Sequence, residues 1–392
     1  MVISPRKKGG RNILVLGGGA PNFTLMSGAL LAFHRAGVCF DVIYMAGAGA
    51  VVGLIYLAPK GLDREQALQN TVNFGVSDAI YELLPINYKL FNKSGPSAWA
   101  FREFWSGFPP AVWAEHQYGM SPMEKLESDL LLLGGAMMSP TDVNYFSRGV
   151  CAHAPFIENV VDFEKLKRDS DNPPDCYLGA YCVEEEAMER FEKPEINIHH
   201  FRAALSYPFI YSPYQINGKH YYEGAVVETL GLIEFATHNL QLVAADFVRD
   251  DKGDEKKKLS PDADRFVIFD VMNPEVIQRP RDLWDAFSQS IIIPLVANAE
   301  KELVIFQHWI ETGHLLTTTK LERRYRGFLE KYSWVDDEQP PDAEAFVLKF
   351  VVPEQHRPYL LDWTSSNLEC LFDIGYECGI LFLEEHGTKL IK

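Results

Sequence analysis

Two glycine turns and one carboxylate carry the chemistry legible in this chain. Leu14-Val15-Leu16-Gly17-Gly18-Gly19-Ala20 is an apolar run followed by a turn that few side chains obstruct, and a helix-like stretch then leads to Gly37. Asp41-Val42-Ile43-Tyr44-Met45-Ala46-Gly47-Ala48-Gly49-Ala50 repeats the pattern of apolar strand, tight small-residue turn and helix. A strand-to-helix turn of this kind is where a G-x-S-x-G nucleophile sits, its hydroxyl exposed by a strained backbone. Here the serine position is Gly47, which carries no nucleophilic atom, and the leading glycine is Met45. Further on, Glu223-Gly224-Ala225 closes the stretch Ile216-Asn217-Gly218-Lys219-His220-Tyr221-Tyr222. A carboxyl group there, held in apolar surroundings, can have a raised pKa and work as a general acid or base.

Those residues need elements to bring them together. Residues 12–16 and 41–46 are short apolar runs followed by glycine turns and helical periodicity, the βαβ pattern of a parallel sheet. From Phe23 to Ala36, Leu25, Ala29, Leu31, Ala32 and Ala36 fall largely on one helical stripe that ends at Gly37. A second helix is expected from about Ala48 to Ala58, stopped by Pro59, and Asp63 is placed to cap a third reaching about Phe74. Residues 175–183, 241–248 and Phe266–Val271 read as further buried strands, and Arg249–Asp264 as a charged, solvated loop. From about Asp282 the pattern is mostly helical, with Leu283, Phe287, Ile291 and Leu295 in register and a break at Pro340-Pro341.

The stretch 80–120 differs in character. Tyr81, Tyr88, Phe91, Trp99, Phe101, Phe104, Trp105, Phe108, Trp113 and Tyr118 crowd a segment broken by Pro85, Pro96, Pro109 and Pro110. Large aromatics ordinarily pack into a core edge, the first expectation. The alternative is a lid over an apolar pocket or a surface that dips into a membrane interface.

Composition narrows the function. A net charge of −17 argues against binding nucleic acid, which requires Lys and Arg to neutralise phosphates, and against broad attraction to anionic membranes. The basic start, Arg6-Lys7-Lys8, is followed by a strand-length apolar run rather than a secretory h-region. No apolar stretch is long enough to span a bilayer. Six scattered cysteines without CxxC pairs read as reduced thiols of a cytoplasmic protein, with Cys39 expected to be buried. Cys176 and Cys182 lack further ligands at metal-binding spacing, so neither metal nor cofactor is expected.

The order of these motifs resembles the patatin-like phospholipase family. Three blocks carry the likeness: Gly17-Gly18-Gly19-Ala20 leading into Ser27-Gly28-Ala29 and on to Gly37; Ala46-Gly47-Ala48-Gly49-Ala50 with Val51-Val52-Gly53; and Ala203-Ala204-Leu205-Ser206-Tyr207-Pro208-Phe209 followed by Ile216–Ala225. The resemblance implies a three-layer α/β fold, with a mainly parallel sheet between helices. It also implies a Ser–Asp dyad that attacks lipid acyl esters, with oxyanion amides supplied by the glycine turn. This chain departs at the functional atoms. Gly47 stands at the serine, Glu223 at the aspartate, Met45 at the leading glycine, and Pro21-Asn22 at a basic residue and glycine. Pro21 has no N–H to offer an oxyanion.

No other residue replaces the nucleophile. Ser27 lies inside the first helix and Ser206 at a helix end, while His220 and Glu223 would point to opposite faces of a strand. Acyl-ester hydrolysis by the family route is therefore not expected. The domain reading is a patatin-like α/β unit over 11–275, with 80–150 as an aromatic-rich insertion or lid, and a mostly helical region over 276–392 packed on it. The site is expected where the early strands end, with Glu223 as acid/base, Gly47 marking the missing nucleophile, and Gly17, Gly18, Gly19, Ala20, Asn22, Met45 and Ala48 around a ligand. That ligand is expected to be a lipid or another hydrophobic small molecule, bound without hydrolysis, with peripheral membrane contact left open. Two other readings stand beside it. One is non-covalent acid/base chemistry on a hydrophobic substrate through Glu223. The other is a scaffold whose C-terminal helices present Trp284, Phe287, Ile291, Ile292 and Leu295 to a partner.

Overall fold

The computed structural model describes residues 10–19, 22–154, 158–169, 172–234, 264–312 and 343–391. In chain order the elements begin with β1 (Asn12–Leu16), α1 (Phe23–Arg35), β2 (Val42–Ala46), α2 (Ala48–Leu57), α3 (Arg64–Gln69) and α4 (Asp78–Leu83). There follow β3 (Asn92–Lys93), α5 (Pro96–Ser106), α6 (Pro109–Glu115), α7 (Pro122–Met138), β4 (Gly149–Ala152) and α8 (Phe163–Arg168). Then come β5 (Asp175–Cys182), β6 (Ala187–Glu192), α9 (Ile198–Ala204), β7 (Phe209–Tyr211), β8 (Tyr214–Ile216) and β9 (Lys219–Glu223). The last are β10 (Asp264–Asp270), α10 (Leu283–Thr312), β11 (Ala343–Lys349) and α11 (Ser365–Leu390).

The main sheet runs β11-β10-β1-β2-β5-β9-β8, with β6 also pairing β5. Its first five strands are parallel. β6 and β9 join β5 antiparallel, and β8 joins β9 the same way. Every residue of β1 and β2 is buried, as expected of parallel strands covered on both faces. The β1–α1–β2 crossover steps one way along the sheet and β10–α10–β11 the other. Right-handed crossovers therefore carry α1 and α10 to opposite faces, which makes the three layers. β1 lies at the reversal, and ligands in such sheets bind beyond the strands' carboxyl ends at that point.

The pairing of β5 decides the site. β2 pairs with β5 from Asp175 to Gly179, and β9 pairs with it from Ala180 to Cys182. β6 covers residues 177–182 of β5, so β2 and β9 must share the opposite edge. They run toward one another along it: Ala46 lies opposite Gly179 and Glu223 opposite Ala180. The ends of two strands far apart in sequence thus meet head to head.

Local signals are met in several places. Asp63 closes a capping box with Gln66, though regular helix gives way to a 3₁₀ turn at Asn70–Phe74. α1 and α11 approach backbone to backbone: a Cβ on Gly28 would collide with the carbonyl of Phe372, and one on Gly375 with that of Leu25. The region beyond 276 is not only helical, because β11 adds an edge strand to the main sheet. Cys39 is exposed rather than buried, since it sits in the α1–β2 connection, which runs over the surface. The expected strand at 241–248, the loop at 249–263, Ala20, Pro21 and Pro340-Pro341 lie outside the described residues.

The segment 80–150 divides in two. Tyr81, Tyr88 and Leu90 are buried in the body, while α5–α7 stand outward with Trp99, Phe104, Phe108 and Trp113 exposed. A buried network joins the parts. Lys89 Nζ lies 2.7 Å from Asp129 Oδ1 and donates to the carbonyls of Asn73 and Gly75 and to Gln117 Oε1. Asp129 Oδ2 accepts from the Ser77 amide and hydroxyl. Four acceptors compete for the three protons of the ammonium, and this hydrogen-bonded ion pair ties α7 to the body.

Candidate functional site

Gly47 stands between β2 and α2 with φ 51° and ψ −127°, a conformation that a side chain adopts only under strain. Around it the backbone is tied tightly. The Gly49 N–H donates to Gly17 O, the Ala50 N–H to Gly47 O, and the Gly18 N–H to Thr229 O. Thr229 is held in turn: its hydroxyl bonds Ala225 O and Leu295 O. The buried Glu302 carboxyl on α10 accepts from the amides of Leu230 and Leu232. A sequence scan offers no signal for Glu302, a charged residue in a helical run whose value lies entirely in the loop it reaches.

Glu223 reaches the turn from the other side. Its amide donates to Ser206 O, which fixes the end of β9. A Cβ built on Gly47 would overlap Oε1 of Glu223 and lie 3.1 Å from its Cδ and from Gly18 Cα. The carboxyl therefore fills the space that a side chain at 47 would take. Among the described residues no cation or hydrogen-bond donor pairs with it. Burial alone pushes its pKa up to about 8, so it is largely uncharged at neutral pH. The group remains accessible from one direction, because it opens onto a cavity.

That cavity has a volume of about 210 Å³. Gly19, Ala48 and Glu223 line it together with Phe23, Val51, Phe74, Leu90 and Phe91. The rest of the lining is Leu205, Tyr207, Ile210 and Tyr211, then Phe287, Ser288, Ile291, Ile292 and Leu295 of α10, with Leu361 and Trp363. Of the expected residues, Gly19 and Ala48 line the cavity, while a Cβ added to Gly18 or Gly47 would meet Glu223 Oε1. Gly17 packs on Leu230, and Met45 lies buried beneath Gly53. Asn22 is buried with neither amide atom bonded and does not line the cavity. The stripe once open to a partner, Phe287 to Leu295, faces this space instead; Trp284's side chain lies outside the described residues. Leu361 and Trp363 give no sign in sequence, since only the fold returns them here.

Ser27, Ser206, His153 and His220 do not form a second reactive centre with Glu223. Ser27 Oγ donates to Phe23 O within its own helix. Ser206 Oγ donates to Arg202 O and accepts from His153 Nε2 at 3.0 Å, so its proton is committed to a carbonyl. Burial holds His153 down at about 3, and Ser206 is sealed from the cavity. His220 pairs with Glu184 at 2.6 Å, away from Glu223. Among the described residues no three His, Cys, Asp or Glu side chains group as a metal site.

A family model for patatin-like phospholipase matches residues 14–236, more than half of the chain and all of the turns just described. The chain belongs to the patatin-like phospholipase family. Its fold is the one the family implies, a mostly parallel sheet between helices, with the glycine turn after β1 and the sharp turn after β2 side by side. Among solved structures, VipD from Legionella pneumophila is similar over 96% of this patatin-like chain and 67% of its own, at 13% identity and a TM-score of 0.36. No curated protein sequence matches significantly.

Proposed function

We propose that this patatin-like protein has lost the Ser–Asp dyad, with Gly47 and Glu223 at those positions, and binds a lipid or other hydrophobic molecule without hydrolysing an acyl ester. One observation carries the reading: the Glu223 carboxyl occupies the volume that a nucleophile on residue 47 would need. The two departures are complementary, the longer acid filling the space the glycine leaves. An acyl-enzyme has no atom on which to form, while the apolar cavity that would hold an acyl chain persists beside the site.

The exposed aromatics of α5–α7 support a peripheral contact with a lipid surface, from which a sparingly soluble ligand would be collected. No helix among the described residues is long and apolar enough to cross a membrane. A second reading is supported by the raised pKa of Glu223: a neutral carboxylic acid facing an apolar cavity can donate or accept a proton on a bound substrate.

Native mass spectrometry with organic extraction of the purified protein tests the main reading. The expected result is a defined apolar molecule in stoichiometric amount, together with inertness toward p-nitrophenyl esters. Ester turnover that survives Glu223→Gln would sink the acid/base reading, and turnover that acylates the protein would sink both.

A further inference from the structure

Helix α10 is held differently on the two sides of Pro294. Proline has no N–H, so the carbonyl of Ser290 loses its helical donor, and the Ser290 hydroxyl turns back onto Phe287 O at 2.6 Å. Beyond Pro294 the helix is fixed to the body. Leu295 O accepts from the Thr229 hydroxyl, the Glu302 carboxyl accepts from the amides of Leu230 and Leu232, and Val296, Ala299 and Phe306 are buried in the core. Before it, residues 283–293 make about three turns that run along the cavity. Phe287, Ser288, Ile291 and Ile292 border open space there, while Leu283 and Ile293 are exposed. The first half therefore has a void beneath it where the second half has packed side chains.

Polar contacts tie that first half down at its outer end. Arg281 Nε donates to Asp285 Oδ2 at 2.6 Å and Nη2 to Asp362 Oδ1 at 2.9 Å, and the guanidinium lies over the Tyr359 ring. Gln278 adds two bonds, from its side-chain amide to Arg357 O and from its backbone N–H to Gln289 Oε1. Asp362 sits between Leu361 and Trp363, which line the cavity from their own loop. The Arg281 side chain is 40% exposed, so its bond to Asp362 is open to water and salt. Phe287 also meets the ring of Phe209, with centroids 6.0 Å apart. Phe209 is exposed and held at φ 72°, a strained conformation for a bulky residue. Exposure of a ring and backbone strain both cost free energy, and this ring bears on a residue of the cavity lining.

Resting on the ligand-binding reading above, we propose that residues 283–293 are a door to the cavity that swings about Pro294, with the Arg281–Asp362 pair as its latch and Phe209 as its stop. The Arg281–Asp285 pair travels with the door, because both residues belong to it. What must break is the bond to Asp362 and the neighbouring bond from Gln278 to Arg357 O. Few other contacts are lost on opening, since the moving turns border a void and not a packed core. The hinge, latch and stop all arise from particular residues of this chain, and α10 lies beyond the residues that the family model matches.

Two measurements on the full chain test this: amide hydrogen exchange read by mass spectrometry, and stopped-flow uptake of the apolar fluorophore N-phenyl-1-naphthylamine. Amides of 286–293 should exchange faster than those of 296–306. Arg281→Gln should speed exchange in the first stretch and uptake of the fluorophore by about fivefold each, and leave the second stretch unchanged. Salt at about 0.5 M should speed uptake by the wild type but not by Arg281→Gln. Pro294→Ala restores the missing N–H and should slow both exchange at 286–293 and uptake. The two stretches exchanging in step in all three proteins would overturn the door, whether or not the fluorophore binds. Split exchange with uptake at one rate in all three would overturn the door as the way into the cavity. Split exchange that responds to Arg281→Gln, with no uptake by any of the proteins, would overturn the ligand-binding reading and leave the moving door standing.

Discussion

Restoring a hydroxyl at position 47 should damage this protein rather than repair it. In Gly47→Ser the new residue must adopt φ 51°, at a cost on the order of 1–3 kcal/mol. Its Cβ also enters the space of Glu223 Oε1, and overpacking a filled site adds about 1–3 kcal/mol. A loss of about 3 kcal/mol follows. At an unfolding entropy of about 2.1 cal/mol/K per residue, that lowers the melting temperature of 392 residues by about 4 °C. Glu223→Asp withdraws the carboxyl by one methylene, about 1.5 Å of reach, and removes the overlap but not the strain. In that background Gly47→Ser should cost only the strain, which leaves a favourable coupling of about 1–2 kcal/mol between the two changes. The assay is a double-mutant cycle by urea denaturation of wild type, both single variants and the pair. Additivity within about 0.5 kcal/mol would refute the premise that the glutamate fills the place of a side chain at 47.

The pKa of Glu223 also makes stability depend on pH. The folded pKa, about 8, lies above the unfolded value near 4.5, so the native state holds a proton that the unfolded chain releases. Its penalty is absent below about pH 4.5, grows by up to about 1.4 kcal/mol per unit, and levels off above about pH 8. Glu223→Gln should therefore be the more stable protein at pH 8 and gain nothing at pH 4, as thermal scans at the two pH values would register. Asp129→Asn leaves Lys89 charged and buried without its counter-ion and should cost about 3–5 kcal/mol, with α5–α7 becoming the first site of limited proteolysis. Gly375→Ala drives a methyl into the Leu25 carbonyl and should destabilise by more than about 2 kcal/mol in urea titration, whereas Gly134→Ala, with open space around it, should not.

The two βα units, their glycine turns and the absence of a nucleophile in the second are legible in the chain, because each is a matter of local pattern and residue type. Tight turns after buried strands are written in a few adjacent residues, and so was the cap at Asp63. The surface aromatics were visible as a composition but not as a place, since nothing local distinguishes a ring that faces the core from one that faces water. The tertiary structure alone decided that Glu223 meets Gly47. Their contact depends on β2 and β9 sharing one edge of β5 and running toward each other, a register fixed by strand pairing across 175 intervening positions. It likewise decided the cavity, whose walls come from residues as far apart as Phe23 and Trp363. Desolvation, which gives Glu223 its proton, is a property of that assembled surrounding. The residue type supplies the carboxyl; only the fold takes away its water.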